Sequence, residues 1–381
     1  MPAAKKLKVA FVYDDSLDGS EGVAQYVKIM GTWMSQRGHV VSYFVGETKI
    51  KSWHDGPVHS LAKNVKVTFN ANKLSIPLPA KLSNIKAAIV QEQPDVLHVQ
   101  LPDSPFMAQK VVSAAKTSAA VGTFHIYPSG WLAKSGSRLL KVAYFGQLKK
   151  FQKIVSVSRA AQSFAADYYG IKTEILPNVV ELKTYKSATV KNAPGRIVFL
   201  GRLVNRKGCR QLIQAFRLVK DAVADAELII AGDGPERQAL EELVAKLGLR
   251  DSVQFRGFID EADKPSLLAS ATIACFPSLY GESFGLVLIE AMAAGAGVVL
   301  AGNNPGYASV MEDKPEVLFD PNQKDQLAAS LIRLLKDDSA RQKLHTWQKQ
   351  LVKKYDVENV GPQLEEIYYQ AVANKGISGH N

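Results

Sequence analysis

The segment Gly281–Glu290 carries the residues whose types and spacing most directly indicate chemistry. Ser283 is a typical N-terminal capping residue, and the pattern that follows predicts a helix over Ser283–Ala294. The first backbone N–H groups of a helix have no partner within it, and the helix dipole favours negative charge there. We therefore expect the N–H groups of Phe284 and Gly285 to bind a phosphate group.

Two glutamates frame this segment, Glu282 at the positive end of the expected helix and Glu290 eight residues later. On an ideal helix their side chains differ by about 80° in direction and lie about 12 Å apart. That distance is too great for two carboxylates that act on one bond. It suits hydrogen bonds with the two ends of an extended ligand.

A second group of chemically useful residues lies in Gly201–Gly208, which contains Arg202, Arg206 and Lys207. The stretch does not fit the phosphate loop of nucleoside triphosphatases, and Gly232–Gly234 lacks the third glycine of a dinucleotide fingerprint. His-Glu-x-x-His, Gly-x-Ser-x-Gly and Asp-x-Asp elements are absent from the sequence. The charge of a phosphorylated ligand would then be balanced by cations and helix ends of the protein, with no metal.

The elements that must position these residues follow from an alternation of short apolar runs with longer helical patterns. Such alternation predicts parallel sheets covered on both faces, and here two doubly wound α/β domains that face a common cleft. The polar stretch Leu182–Pro194 is the expected connection between them. Strands are predicted at Val9–Tyr13, Val40–Phe44, Val96–Val99, Val121–Phe124, Ile154–Val157, Ile197–Leu200, Ala226–Ala231, Val253–Arg256, Ile273–Phe276 and Val298–Leu300, and helices at Cys209–Ala224, Pro235–Leu247, Ser283–Ala294 and within 323–375.

Composition narrows the class of protein. A chain of 381 residues with 46% hydrophobic and 22% charged residues excludes disorder, collagen-like repeats and disulfide scaffolds. The two cysteines, Cys209 and Cys275, lack metal-ligand spacing and predict core positions in a reducing compartment. The basic start Met1–Lys8 is followed by an apolar run of only strand length, and later apolar stretches are too short to span a bilayer. We expect neither a signal peptide nor a membrane-spanning helix.

The segment Gly281–Glu290 resembles the Glu-x7-Glu motif of GT4-family retaining glycosyltransferases, whose fold is GT-B. Other features of that family fall in order along nearly the whole chain, and the greatest similarity is to bacterial phosphatidylinositol mannosyltransferases and related lipid glycosyltransferases. The further matching segments are Phe199–Arg202, Arg206–Gly208, Glu227–Pro235, Phe255–Phe258, Gly122–His125, Ser156–Ser158 and Leu176–Asn178.

The resemblance implies a metal-independent, retaining hexosyltransferase that uses a nucleoside diphosphate sugar, best GDP-mannose with a UDP-sugar possible, and needs no other cofactor. It implies an acceptor-binding domain over 1–182, completed by a C-terminal helix near 358–375, and a donor-binding domain over 183–357. Arg202 and Lys207 would neutralise the donor diphosphate, while Glu282 and His125 would contact the transferred sugar. Further donor contacts are implied for Gly22, Gly257, Phe258, Ser283, Phe284, Gly285, Leu286 and, on the ribose, Glu290.

The net charge of +11 is concentrated in one half of the chain. Residues 1–182 hold 22 Lys and Arg against 12 Asp and Glu, whereas residues 183–381 hold 25 against 24. Cations with interleaved aromatic residues suit an anionic membrane surface. We therefore expect peripheral binding at the cytoplasmic face of the cell membrane and a lipid acceptor, through a helical basic face of Lys134, Arg138, Lys141, Lys149 and Lys153.

Three alternatives remain open at this stage. A soluble glycosyltransferase that acts on a small sugar or glycan would use the same donor motifs. A nucleotide-sugar epimerase could occupy a similar scaffold, and a basic nucleic-acid-binding protein would explain the charge but not the Glu282 segment. We expect no nucleic-acid partner, and the sequence leaves the oligomeric state undetermined.

Overall fold

A computed structural model of the chain describes residues 6–19, 21–69, 72–102, 104, 106–125, 146–185 and 193–378. The chain forms two compact units. Unit 1 contains Met1–Val179 and Val357–Asn381, and unit 2 contains Val180–Asp356. The division predicted from the sequence lies between residues 182 and 183.

The elements within the described ranges alternate as the apolar pattern predicts. The strands are β1 Lys8–Tyr13, β2 Val40–Val45, β3 Ser52–Trp53, β4 Gly56–Ser60, β5 Asn64–Phe69, β6 Asn72–Pro77, β7 Val96–Gln100, β8 Ala119–Phe124, β9 Lys153–Ser156, β10 Glu174–Ile175, β11 Ala193–Leu200, β12 Glu227–Ala231, β13 Val253–Gly257, β14 Ala271–Phe276, β15 Val298–Gly302 and β16 Leu318–Phe319. The helices are α1 Gly22–Gln36, α2 Leu82–Glu92, α3 Met107–Ala114, α4 Arg159–Tyr169, α5 Leu182–Tyr185, α6 Cys209–Ala222, α7 Arg237–Lys246, α8 Lys264–Ala269, α9 Leu286–Ala294, α10 Pro305–Val310, α11 Lys324–Lys336, α12 Asp338–Leu351 and α13 Val357–Ser378.

Unit 1 is built on an eight-stranded sheet in the order β10-β9-β8-β7-β1-β2-β4-β3. Only the pair β3–β4 in that sheet is antiparallel. β7 and β8 are buried along their whole length, which suits strands covered by helices on both faces. The helix α13 returns from unit 2 and packs on α1 and β8, and Trp33 Nε1 there donates a hydrogen bond to Glu358 Oε2 at 3.0 Å. The last helix of the chain is thus part of unit 1.

Unit 2 contains a six-stranded parallel sheet in the order β13-β12-β11-β14-β15-β16. Cys209 and Cys275 are buried as free thiols in this unit. The chain moves outward to one side from β11 and to the other side from β14, so the strand order reverses between them. In unit 1 the same reversal lies between β1 and β7. Doubly wound sheets bind ligands at the carboxyl ends of the strands at such reversals. The prediction of two doubly wound α/β units is confirmed.

Candidate active site

Glu282 lies in unit 2, in the loop between β14 and α9, next to the strand reversal. It is 9% exposed, and its Oε1 accepts hydrogen bonds from Arg206 Nη1 at 2.9 Å, Lys207 Nζ at 2.7 Å and Ser278 Oγ at 2.6 Å. Burial by itself raises the pKa of this carboxyl group. The two cations and the hydrogen bonds from Lys207 and Ser278 outweigh burial, so the pKa lies below its ordinary value. Glu282 is therefore an ionised carboxylate that is paired with two neighbouring cations.

The loop that carries these cations is held in place by its backbone. Residues Asn205–Lys207 form a short 3₁₀ turn that ends at Gly208, whose φ is 72°. A Cβ atom at position 208 would lie 1.9 Å from the carbonyl oxygen of Pro277, so glycine is required there. The carbonyl oxygen of Arg206 accepts hydrogen bonds from the Leu279 N–H at 2.8 Å and from Ser278 Oγ at 3.1 Å. The loops after β11 and β14 are therefore joined as one site.

The contacts of Glu282 include an arginine, Arg206, to which the resemblance gives no role. Lys207 contacts Glu282, and the second cation there is Arg206. Arg202, to which the resemblance gives the donor diphosphate, is an exposed residue of the same loop. The 3₁₀ turn over Asn205–Lys207 brings two consecutive cations to one carboxylate, and no apolar periodicity in the sequence indicates that turn.

The prediction of a helix from Ser283, capped by that residue, is wrong. The helix α9 begins at Leu286, and its capping residue is Gly285 with a φ of 116°. Phe284 is 3% exposed and packs its ring edge on Tyr355, with ring centroids 5.5 Å apart. Since the side chain of Phe284 is anchored in the core and Gly285 turns the chain, Ser283 precedes the helix instead of capping it.

The position of Glu282 relative to Glu290 changes with this helix start. Glu282 lies outside the helix, so the ideal-helix direction and distance between the two glutamates do not apply. A Cβ atom at Gly285 would come within 2.6 Å of the ring of Tyr307, which shows how tightly the turn into α9 is packed. The separation of the two carboxylates is therefore set by the loop, which the periodicity of the sequence does not describe.

Glu290 is held by a buried lysine from α8. Lys264 is 8% exposed, and its Nζ lies 2.9 Å from Glu290 Oε1 and 2.8 Å from Glu261 Oε2. Burial lowers the pKa of Lys264, but the two glutamates raise it to a net value above the ordinary one. The hydroxyl of Tyr185 also bonds to Glu290, and its pKa is raised chiefly by burial and further by this carboxylate. Neither Lys264 nor Tyr185 stands in a motif that would have indicated this contact.

The end of β13 supplies an aromatic side chain at the same edge of the sheet. Gly257 ends the strand with a φ of 67°, and its carbonyl oxygen accepts a hydrogen bond from the Gly232 N–H at 2.7 Å. The next residue, Phe258, is 68% exposed. An exposed aromatic face beside the strand ends is suited to stacking on a nucleobase.

In unit 1, His125 directly follows the buried strand β8 and is 6% exposed. Its Nε2 lies 2.7 Å from Gln100 Oε1, and its ring meets the edge of the Tyr26 ring with centroids 5.1 Å apart. Burial lowers the pKa of His125 to about 3, an effect that the Asn178 side chain only partly opposes. The sequence left the charge of this imidazole open, and its surroundings in unit 1 make it neutral near pH 7.

Gly22, expected in the loop after β1, is the first residue of α1, with Glu21 before it in an extended conformation. The loop ahead of it is fixed by Asp18, whose Oδ1 accepts hydrogen bonds from Thr48 Oγ1 at 2.7 Å and from the Lys49 N–H at 3.0 Å. The N-terminal end of α1 therefore lies at the carboxyl edge of the unit 1 sheet, where helix N–H groups favour an anion.

The predicted basic face is only partly within the described residues. Lys134, Arg138 and Lys141 lie outside them. Lys149 is in a turn, and Lys153 is the first residue of β9, so the expectation that both lie on one helix is wrong. The physical reason is Gln152, whose N–H donates to the Ala120 carbonyl oxygen at 2.9 Å and draws the chain onto β8. Lys153 Nζ forms an ion pair with Glu174 at 2.5 Å.

The described ranges contain neither a cluster of metal ligands nor a membrane-spanning helix. Within them, no group of three or more His, Cys, Asp or Glu side chains is placed to hold a metal ion. No helix in the same ranges has the length and apolarity to cross a membrane.

Comparison with known families matches both halves of the chain. Residues 183–350 match the family described as "Glycosyl transferases group 1", and residues 20–184 match "Glycosyltransferase Family 4". The chain is 30% identical to a phosphatidyl-myo-inositol mannosyltransferase of Mycolicibacterium smegmatis, over 97% of this chain and 95% of that protein.

Solved structures agree in fold. A glycosyltransferase from Rickettsia africae superposes with a TM-score of 0.76 at 20% identity and covers 96% of this chain and 99% of its own. An Anabaena protein solved in complex with UDP and glucose superposes with a TM-score of 0.70 at 19% identity, over 95% of this chain and 99% of its own.

Proposed function

We propose that this chain, which belongs to the GT4 family of glycosyltransferases, transfers mannose from GDP-mannose to a membrane lipid of the phosphatidylinositol type. The main support for a lipid acceptor is the similarity to the phosphatidyl-myo-inositol mannosyltransferase of Mycolicibacterium smegmatis, which extends over nearly the full length of both proteins. It includes the N-terminal half, to which the resemblance assigns acceptor binding. A UDP-sugar is the alternative donor.

The contacts of Glu282 support a donor site that needs no metal. Arg206 and Lys207 are two cations on one buried carboxylate, and a diphosphate can take over both through charge-assisted hydrogen bonds. Its arrival would free the Glu282 carboxylate to accept hydrogen bonds from hydroxyls of the transferred sugar. Glu290, paired with Lys264, would bind the ribose, and Phe258 would stack on the base.

We favour same-face attack for the retaining step. Glu282 shares its charge with two cations, which makes it a poor nucleophile for a double displacement. In same-face attack the bond from the anomeric carbon to the diphosphate oxygen breaks, and the bond to the acceptor oxygen forms on the same side. The leaving diphosphate takes the proton of the acceptor hydroxyl. His125, as a neutral imidazole, adds no positive charge beside the developing oxocarbenium.

The acceptor is proposed to reside in the cytoplasmic face of the cell membrane. No Asp or Glu occurs between Ser104 and Ala166, where nine Lys and Arg residues lie, and Gly56–Gln91 holds five lysines and no acid. An excess of cations without acids attracts anionic headgroups by roughly 1 kcal/mol for each cation near the surface.

The direct test combines donor binding with transfer. A thermal-shift panel of GDP-, UDP- and ADP-sugars identifies the donor, and transfer from radiolabelled donor to phosphatidylinositol vesicles identifies the acceptor. We expect stabilisation by GDP-mannose and a mannosylated lipid, with transfer at least about 100-fold lower in Glu282→Ala and Lys207→Ala. Transfer only to free sugars or glycans would contradict a lipid acceptor. Near-normal rates in both variants would contradict the roles of Glu282 and Lys207.

Membrane binding is tested separately by co-sedimentation with vesicles of phosphatidylcholine with and without anionic lipid. Changing Arg138, Lys141 and Lys149 to Ser should release the protein from anionic vesicles and leave the thermal shift by the donor unchanged. The matched control changes Lys246, Lys336 and Lys349 of unit 2 to Ser, which removes the same charge from another unit. Equal binding by both triple variants would contradict a specific basic face.

A further inference from the structure

Gln100 is a fully buried amide at the carboxyl end of β7, beside His125, and no motif of the sequence singles it out. Its exposed fraction is 0%. The Nε2 of Gln100 donates a hydrogen bond to the carbonyl oxygen of His98 at 3.2 Å, and its Oε1 lies 2.7 Å from His125 Nε2. Both ends of the amide are thus engaged, one with the backbone of its own strand and one with the histidine.

These two contacts determine which ring nitrogen of His125 carries the proton. A carbonyl oxygen only accepts, so the NH₂ group of Gln100 must face the backbone of His98. The oxygen of the amide then faces His125, and an amide oxygen also only accepts. A neutral imidazole has one N–H, and the Gln100 oxygen, at 2.7 Å, requires it at Nε2. The side-chain oxygen of Asn178 also acts on His125, but it forms no hydrogen bond with the described residues and so competes less well for the proton. Nδ1 of His125 is left as the acceptor of the ring.

The position of Gln100 is fixed by its neighbours. Leu101, the next residue, has a φ of 61°, a left-handed conformation that costs a non-glycine residue roughly 1–2 kcal/mol. Its N–H donates to the carbonyl oxygen of Thr123 at 3.0 Å, which ties the end of β7 to β8. Strain of this kind persists only where surrounding contacts hold it, and it clusters at functional sites.

A second set of hydrogen bonds fixes the strand on the same face, because His98 and Gln100 are two residues apart. His98 Nε2 lies 2.7 Å from Thr123 Oγ1, and His98 Nδ1 lies 2.7 Å from the hydroxyl of Tyr368 on α13. All three residues have an exposed fraction of 0%. The backbone carbonyl that orients Gln100 belongs to this His98, so the orientation of the amide depends on a rigid, fully bonded strand.

We infer that Gln100 is a positioning residue that holds His125 as its Nε2–H tautomer and thereby keeps Nδ1 free of a proton, as an acceptor for a substrate hydroxyl. The consequence for sugar transfer rests on the proposed function, whereas the tautomer itself is a property of the unliganded protein. Outer partners that fix a tautomer in this way typically change activity about 10- to 100-fold when they are removed.

The tautomer is measured by long-range ¹H–¹⁵N correlation spectra of the full chain labelled with ¹⁵N-histidine at pH 7. The signals of His125 are assigned by their loss in His125→Asn. We expect a protonated Nε2 and an unprotonated Nδ1 in the wild-type protein. A proton on Nδ1 would overturn the inference, whatever the protein transfers.

Two substitutions separate positioning from packing. Gln100→Met keeps the size of the side chain and removes both hydrogen bonds, while Gln100→Glu keeps an oxygen that accepts from Nε2–H. We expect the Met variant to lose the single tautomer and to reduce kcat about 10- to 100-fold, with donor KM changed by less than about threefold. The Glu variant should retain the Nε2 proton, but its carboxylate also favours a proton on Nδ1, so kcat should stay about as low as in the Met variant.

Gln348→Met is the matched control. Gln348 is 2% exposed, accepts from the Val299 N–H at 2.9 Å and donates to the Val299 carbonyl oxygen at 2.7 Å. This variant also loses two buried hydrogen bonds of a glutamine, but in unit 2, so His125 spectra and kcat should match the wild type. A Gln100→Met protein with the wild-type tautomer would refute the inference, and absence of sugar transfer by every variant would refute only the proposed function.

Discussion

Replacing Glu282 by Gln keeps the shape of the side chain but removes the charge that Arg206 and Lys207 share. We expect two effects of opposite sign. The variant should bind a free nucleoside diphosphate more tightly, because its phosphates no longer compete with a carboxylate for the two cations. It should transfer sugar more slowly, because a charged acceptor for the sugar hydroxyls is lost.

The magnitude follows from the distances and the exposure of the three side chains. Two unit charges about 4 Å apart interact by about 4 kcal/mol at an effective dielectric constant of about 20. The side chains of Arg206 and Lys207 are 24% and 19% exposed, so water and rearrangement recover much of this energy. If about one third of this interaction energy remains, roughly 1.4 kcal/mol, the variant should bind the nucleoside diphosphate about tenfold more tightly. Loss of a preorganised electrostatic contact should reduce kcat about 10²- to 10³-fold.

The affinity is measured by isothermal titration calorimetry with GDP and UDP, and kcat by transfer from the donor identified in the thermal-shift panel. The matched control is Glu227→Gln, since Glu227 Oε1 lies 2.8 Å from Arg196 Nε at the amino-terminal ends of β11 and β12. That variant breaks a glutamate–arginine pair at the opposite edge of the same sheet. Its affinity for the nucleoside diphosphate should stay within about twofold of the wild type.

Weaker or unchanged binding of both nucleoside diphosphates by Glu282→Gln would refute the reasoning. It would mean that Arg206 and Lys207 serve the glutamate and the loop alone, and that the diphosphate is held elsewhere. Tighter binding by Glu227→Gln to the same extent would show a general effect of net charge instead of a local one.

Two further predictions concern the site loop and the buried histidines. Gly208→Ala should lower the free energy of unfolding by at least about 2 kcal/mol in urea titrations and weaken donor binding, because its Cβ would meet the Pro277 carbonyl oxygen. Gly248→Ala is the control, because Gly248 has a similar φ of 68° and no atom lies within 4 Å of the added Cβ. Only the cost of the left-handed backbone, about 1 kcal/mol, applies there. An equal loss of unfolding free energy in the two variants would contradict the steric explanation. Burial lowers the pKa of His98 and of His125 from 6.5 to about 3, so the unfolded chain binds more protons in this window and stability falls as the pH drops below 6.5. Urea titrations between about pH 4 and pH 6 give the free energy of unfolding as a function of pH. In His98→Gln this free energy should fall less steeply with decreasing pH than in the wild type, by about 1.4 kcal/mol per pH unit. An unchanged pH dependence would show that His98 is already protonated in the folded state.

The strands and their parallel arrangement were predictable because buried parallel strands must be continuous apolar runs. Val96–Gln100 and Ala119–Phe124 are mostly apolar, apart from His98, Gln100 and Thr123, and the structure buries both strands completely. The loops after such strands were predictable as the place of the site, since ligand sites of doubly wound sheets lie at the strand ends. Glu282 and Lys207 were identified on that basis together with their family motif, and the structure joins them at 2.7 Å.

The pairing of side chains across loops was not predictable in the same way. The contact of Arg206 with Glu282 depends on one 3₁₀ turn, and the start of α9 depends on a buried phenylalanine and a left-handed glycine. Lys264 belongs to another helix altogether, 26 residues before its partner Glu290 in the chain. Periodicity reports which face of an element is buried, and it carries no information on which loops come together.

The sequence by itself therefore determined the class of fold, the strand ends that bear the site and the family-specific carboxylates, because these depend on local pattern and motif. Tertiary structure decided the protonation of the site. His125 became neutral because it is buried, and its proton was assigned to Nε2 because Gln100, on a different strand, presents an oxygen to that nitrogen. Burial and contacts between distant segments set the energies of charged and neutral forms, and these arise only when the chain has folded.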